Sequence, residues 1–286
     1  MKILLLGNTG QLGWELQRTL PYYGRLLAMD FPQIDITRPE SVEAIMADFQ
    51  PDVVINSAAY TDVDRAESEA EMCMKVNVNG PLHLARACQN NGALLVHYST
   101  DYVFSGISER PYIEEDPTNP VNTYGESKLQ GEKAIQETFD RFVILRTAWM
   151  YSMRSPSFLT KVLSWAASKP EISVVDDQIS NPTWARAMAE VTSLMISKIY
   201  CEEFSQSLMG IYHLAGDGFT SRYEWAKAII KYSSTNSVKI NPAKSQDFHT
   251  PAVRPSFSAI DCHKFYQTFN LQLPAWQECL KLSLKN

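Results

Sequence analysis

In the first half of the chain, apolar residues come in short unbroken runs. Between the runs they recur every three or four positions. Lys2–Leu6 is the first run and predicts a buried strand, while Leu12, Leu16 and Leu20 predict a helix over Gln11–Leu20. Leu26–Met29 predicts a second strand. Thr37 offers a capping hydroxyl for a helix with Pro39 in its first turn, carried on by Val42, Ile45, Met46 and Phe49 and stopped at Pro51. Asp52–Asn56, Leu94–Tyr98 and Val143–Arg146 predict three further strands, and Val76–Asn90 and Tyr124–Phe139 two further helices. Gly80-Pro81 marks the early turns, or a kink, of the first of these. Strands apolar on both faces that alternate with helices imply a parallel sheet covered on each side. Right-handed crossovers then bring the carboxyl ends of the strands to one edge, where ligands bind.

After Tyr151 the pattern loosens. Phe158–Ala167, Trp184–Ile199, Trp225–Tyr232 and Trp276–Leu284 read as helices, and Ile172–Val175 and Ile211–Leu214 as strands. Pro242–Ser258 carries prolines with little periodicity and reads as a long loop. The expected fold is α/β, a Rossmann-like doubly wound parallel sheet with a smaller C-terminal substrate lobe. Residues 1–150 would form the dinucleotide-binding lobe, joined by the helix at 183–200, with 151–182 and 201–286 mainly forming the other lobe.

Composition narrows the class. Over 286 residues, 45% hydrophobic and 20% charged is an ordinary globular balance. A formal net charge of −6 gives no electrostatic footprint for nucleic acid or an anionic membrane. The five cysteines are odd in number, widely spaced and without a C-x-x-C, which argues against a disulfide framework or a zinc site and for reduced thiols in a cytoplasmic protein. The apolar run at Ile3–Leu6 is too short for an export signal, and no stretch approaches the ~20 apolar residues that span a bilayer.

The candidate chemistry follows the strand ends. Gly7-Asn8-Thr9-Gly10-Gln11-Leu12-Gly13 links the first strand to the first helix. Glycine backbone there can approach a pyrophosphate, and the positive helix end faces it. Asp30, ending the second strand, suits the adenosine ribose hydroxyls and leans towards NADH. Arg25 or Arg38 could still meet a 2′-phosphate, so NADPH stays open. Asp35-Ile36 could frame the adenine. Ala58, Ala59 and Tyr60 follow the third strand and could line the nicotinamide ribose and phosphates. Thr100 sits at the carboxyl end of the fourth strand, suited to hydrogen-bonding a substrate oxygen. Tyr124 and Lys128 are four apart on a helix and can enter one cleft, where the ammonium would favour the phenolate, bring the tyrosine pKa towards working pH and hold the cofactor ribose.

With these residues in view the chain resembles the extended short-chain dehydrogenases/reductases, and within them the dTDP-4-dehydrorhamnose reductases, over nearly its whole length. The likeness runs through GNTGQLG at 7–13, NSAAYTDVDRAES at 56–68, HYSTDYVFSG at 97–106 and NTYGESKLQGE at 122–132. It continues through RTAWMY at 146–151, DDQISNPTWA at 176–185 and TPAVRPSFSAID at 250–261. The last four segments set this group apart from most sugar-nucleotide epimerases and dehydratases. They also count against a non-catalytic regulatory subunit like the beta subunit of methionine adenosyltransferase. The resemblance implies a reductase that passes hydride from NADPH or NADH to C4 of a 4-keto-6-deoxy nucleotide sugar, a small-molecule partner. A homodimer is one arrangement it leaves open. It implies Thr100, Tyr124 and Lys128 as the catalytic group, and Asp101, Tyr102, Trp149, Gln178 and Arg254 on the nucleotide-sugar side with Thr100 and Tyr124. Some members are described with Mg²⁺ between subunits, held by glutamates. Glu15 stands in a suitable place here, but Arg186 occupies a region where a further acid would be wanted, so no metal is expected.

Overall fold

The computed structural model describes residues 1–201, 206–233 and 238–285. Its centre is a six-stranded sheet in which every neighbouring pair is parallel. The strands are β1 (Lys2–Leu6), β2 (Arg25–Met29), β3 (Val53–Asn56), β4 (Leu94–Thr100), β5 (Phe142–Thr147) and a late strand, Gly210–His213, which lies beside β5 at the edge. The order runs from this late strand through β5, β4, β3 and β1 to β2, so the direction of winding reverses between β1 and β3.

The unbroken apolar runs have a direct cause. Ile3, Leu5, Val53, Ile55, Val96, Val143 and Leu145 enter one core, and Leu4, Leu6, Val54, Leu95 and Ile144 enter the other. On the first face lie α1 (Gln11–Thr19), through Leu12 and Leu16, and the long helix Ala185–Cys201, through Met188, Val191 and Met195. That core continues into the last third of the chain, taking in Trp225, Phe265, Phe269 and Trp276. On the second face lie α2 (Pro39–Phe49), through Val42 and Met46, and the helix Gly80–Asn91, through Leu84 and Cys88.

Several expected elements are corrected. Thr37 does not cap α2: its hydroxyl donates to Asp35 Oδ1 (2.7 Å), and Arg38 is the cap residue without a side-chain bond. The helix expected from Val76 begins as a π turn, Lys75–Asn79, ahead of Gly80–Asn91. Pro81 has no N–H to give the carbonyl of Asn77, so the regular ladder cannot run through it. The loop expected over Pro242–Ser258 starts too early, because Lys239–Ala243 pairs in parallel with Glu171–Val175. Pro242 is tolerated because this is an edge strand of a two-stranded pair. The helix His263–Phe269 escaped the pattern, since its seven residues show only Phe265 and Phe269 at helical spacing.

Candidate active site

The candidate residues gather at the carboxyl ends of β1, β3 and β4, beside the place where the winding reverses. Gly7 has φ +79°, and a Cβ there would lie 2.5 Å from the backbone nitrogen of Ala58. A Cβ on Gly13 would lie 2.0 Å from the carbonyl oxygen of Gly7. These two glycines are required by the chain's own packing. Gly10 differs: it is exposed, and the nearest atom to an added Cβ is 3.4 Å away. It caps α1 without a side-chain bond, and no acid lies in the first turn. The missing side chain thus leaves space in front of a helix N-terminus, which fits a pyrophosphate. Gln11 Oε1, buried and without a hydrogen-bond partner, stands at the same turn, while Leu12 is buried in the core and offers only its backbone.

Asp30 accepts from the Thr9 amide (3.1 Å) and hydroxyl and from the Phe31 amide (2.9 Å), which ties the glycine-rich loop to the end of β2. Both arginines considered for a 2′-phosphate are engaged elsewhere, Arg38 with Glu40 (2.7 Å) and Arg25 over the Phe49 ring. Asp35 closes a turn onto Thr37, and Ile36 is buried against Gly80, so their side chains are occupied locally. Ala58 donates its amide to Asn56 Oδ1 (3.2 Å). The Tyr60 backbone is clasped on both sides by the amide of Asn77, and its hydroxyl donates to Glu69 (2.7 Å), an anion that pushes the phenol up to about 12.

Tyr124 approaches Thr100, and Lys128 follows one turn along the same helix with its side chain against β4. The helix Thr123–Gln136 is capped by Asn122, whose side chain accepts from the Gly125 amide (2.8 Å). A Cβ on Gly125 would lie 2.2 Å from the Tyr102 carbonyl, so glycine lets this helix press against the turn that follows β4. Tyr124 consequently meets the Tyr102 ring edge-on and lies within electrostatic reach of the Thr100 hydroxyl. The expected acidification of Tyr124 is reversed: burial in the cleft raises its pKa. The physical reason is the direction of Lys128. Its Nζ donates to the Tyr98 carbonyl (2.7 Å) and lies 3.3 Å from His97 Nε2, and burial brings its own pKa down to about 8.

On the other wall, Asp101 is buried and accepts from the hydroxyls of Thr100, Ser180 and Ser258; burial pushes its pKa up to about 6. Trp149 holds φ +36°, uncommon for a bulky residue and a mark of local strain. Its ring stacks on Trp225 at 5.6 Å. The guanidinium of Arg222 lies 3.7 Å from the Trp149 ring centroid and acts electrostatically on Tyr102. Gln178 donates its side chain to Ser245 (3.0 Å), and its carbonyl accepts from the Arg222 amide. Arg254 is held by a two-pronged ion pair with Asp64 at 2.6 Å and also acts electrostatically on Tyr102.

Arg222 was missed from the sequence because the helix that carries it was started at Trp225; it begins at Arg222. The signal was present as Ser221 followed three residues later by Glu224, and the Ser221 hydroxyl does accept from the Glu224 amide (3.1 Å). Asn56 and His97, behind Lys128, open two of the segments that carry the resemblance, but neither was assigned a role. Glu15 shares a surface depression with Arg18, Arg154 and Arg186. One carboxylate among three guanidiniums does not fit a divalent cation, and the described residues contain no cluster of three or more potential metal ligands.

A parallel sheet with a glycine-rich strand-to-helix loop at its switch point and a Tyr-x-x-x-Lys helix beside it defines an extended short-chain dehydrogenase/reductase. The profile of the family described as RmlD substrate binding domain matches residues 1–286. The dTDP-4-dehydrorhamnose reductase of Escherichia coli (strain K12) is 38% identical over 99% of this chain and 97% of its own length. Among solved structures, the dTDP-4-dehydrorhamnose reductase of Clostridium acetobutylicum superposes with TM-score 0.92 at 33% identity, over 100% of this chain and 99% of that one. The Bacillus anthracis reductase, in complex with NADP, gives 0.91 at 34%, over 99% and 98%. This chain belongs to the dTDP-4-dehydrorhamnose reductase family.

Proposed function

We propose that this protein reduces the C4 ketone of dTDP-4-dehydro-L-rhamnose to dTDP-L-rhamnose, using NADPH or NADH. The observation that carries the reading is the approach of the Tyr124 and Thr100 hydroxyls at the end of β4, with Lys128 one turn along the Tyr124 helix and donating to the Tyr98 carbonyl of the same strand (2.7 Å). The dinucleotide, when bound, supplies the hydride; the chain supplies alignment and the proton. Gly7, Gly10, Gln11, Leu12 and Gly13 would hold the pyrophosphate, Asp30 the adenosine ribose, Asp35 and Ile36 the adenine through backbone, and Ala58, Ala59 and Tyr60 the nicotinamide side with Lys128. Tyr124, its pKa raised, keeps its proton at neutral pH and can give it to the C4 oxygen, while the Thr100 hydroxyl steadies the same oxygen. Asp101, Tyr102, Trp149, Gln178 and Arg254 would face the nucleotide sugar, with residues 151–182 and 201–286 as its lobe apart from the sheet strand Gly210–His213.

No described helix is long and apolar enough to cross a membrane, and the proposal places the reaction in the cytoplasm on a small-molecule substrate. The test supplies dTDP-glucose with the upstream dehydratase and epimerase, adds this protein, and follows oxidation of the reduced cofactor together with the sugar product. One cofactor oxidised per sugar, with dTDP-L-rhamnose formed, is expected. A sugar epimerised with no net oxidation overturns the reductase reading; turnover of only another keto-sugar nucleotide overturns the substrate. A second prediction concerns cofactor choice. Asp30→Ser removes a carboxylate that would repel a 2′-phosphate, so the ratio of kcat/KM for NADPH over NADH should rise about tenfold. An unchanged ratio would place the ribose elsewhere.

A further inference from the structure

Hydrogen-bond polarity can be followed from the cofactor loop to Lys128 without a gap. The Ala58 amide donates to Asn56 Oδ1 (3.2 Å), which fixes the orientation of the Asn56 side chain. Its Nδ2 then faces His97 Nδ1 at 3.1 Å. Nδ2 can only donate, so Nδ1 must accept and carries no proton. His97 is wholly buried, and burial together with the neighbouring Lys128 holds its pKa well below the usual range, so the ring is neutral. Its single proton is therefore on Nε2, the atom 3.3 Å from Lys128 Nζ.

An N–H facing an ammonium sets donor against donor. An N–H facing a neutral amine meets a lone pair. The amine form of Lys128 can accept from His97 Nε2, donate to the Tyr98 carbonyl at 2.7 Å and keep one N–H for the cleft. The ammonium form would leave one hydrogen opposed and buried, which is unfavourable when unrelieved. We propose that His97, its tautomer locked by Asn56, is a positioning residue that favours the neutral amine of Lys128 and so sets the pH at which this lysine gains or loses its proton. The other groups bearing on Lys128 are Glu132 on its own helix and Cys73 on the helix Ala70–Met74. Glu132 and Cys73 act in the opposite sense, raising the lysine, and burial lowers it; the balance stands at about 8. Lys128 can then exchange a proton near working pH, which lets it follow the charge on Tyr124 through a turnover instead of standing as a fixed cation.

The protonation claim stands apart from the reductase reading; only its role in turnover rests on that reading. NMR of the full chain carrying isotope-labelled histidine identifies the protonated ring nitrogen of His97, assigned by substituting the other four histidines one at a time. Nε2–H is expected, and Nδ1–H or an imidazolium overturns the proposal without any variant of the site. Carbon NMR of the lysine Cε, with the Lys128 signal identified by its loss in Lys128→Met, then gives the titration. His97→Leu removes the opposing donor, so the Lys128 midpoint should rise by about one pH unit or more. His97→Gln can still accept from Asn56 and donate to Lys128, and should stay within a few tenths of the parent protein. A folded His97→Leu whose Lys128 midpoint does not move overturns the proposal. The pH profile of kcat should follow the same order. Agreement in the NMR titration with no turnover of the keto-sugar removes the reductase reading alone.

Discussion

Tyr124→Phe should reduce kcat/KM for the keto-sugar by ~10²–10⁴-fold, the usual worth of one positioned general acid, while leaving cofactor affinity within about twofold. The substitution removes one oxygen. The ring keeps its edge-on contact with Tyr102 at 6.0 Å and the helix keeps its Asn122 cap, so the fold has no reason to change. Thr100 still donates to Asp101 at 3.1 Å. The lost quantity is a proton donor whose pKa lies above the usual phenol range and which is therefore fully loaded at neutral pH. Steady-state rates with a parallel cofactor titration check this. An unaltered rate would remove Tyr124 from its assigned role and with it the chemical core of the proposed reaction.

The parts of this site that could be read in advance share one property: their chemistry is carried by residues close together in sequence. Gly7 to Gly13 announce themselves because strand, loop and helix N-terminus are contiguous, and Tyr124 and Lys128 because one helical turn separates them. The central sheet was equally legible, since burial on both faces leaves unbroken apolar runs in β1, β3, β4 and β5. Legibility failed where partners are distant. Asp101 draws hydroxyls from Ser180 and Ser258, and Arg254 takes its carboxylate from Asp64; only the fold pairs them. The sign of the Tyr124 shift failed for the same reason. Spacing placed the ammonium on the right face, but the Tyr98 carbonyl and His97, thirty and thirty-one residues upstream, decide where it points. Arg222 was obscured differently, by a helix start set three residues late.

Glu132→Leu should destabilise the protein by about 3–5 kcal/mol, because it strands a buried guanidinium. Arg146 on β5 and Glu132 on the Tyr124 helix are 4% and 1% exposed and meet through Nε (2.9 Å) and Nη2 (2.7 Å). Replacing both partners, Glu132→Leu with Arg146→Met, removes both charges and should return most of the loss, since a buried pair is often worth little more than a well-packed apolar one. Denaturant unfolding of the parent, the single and the double variant checks this; a double variant no better than the single would mean that the pair itself, and not the abandoned charge, carries the stability. The double variant also separates stability from chemistry. Glu132 is an anion near Lys128 that raises its pKa, one turn along the same helix. With Glu132 gone and the fold restored, nothing on that turn offsets the burial of Lys128, so its midpoint should fall below the parent's. A stable protein whose lysine titrates lower would show that the pair fastening the helix to the sheet also tunes the charge in the cleft.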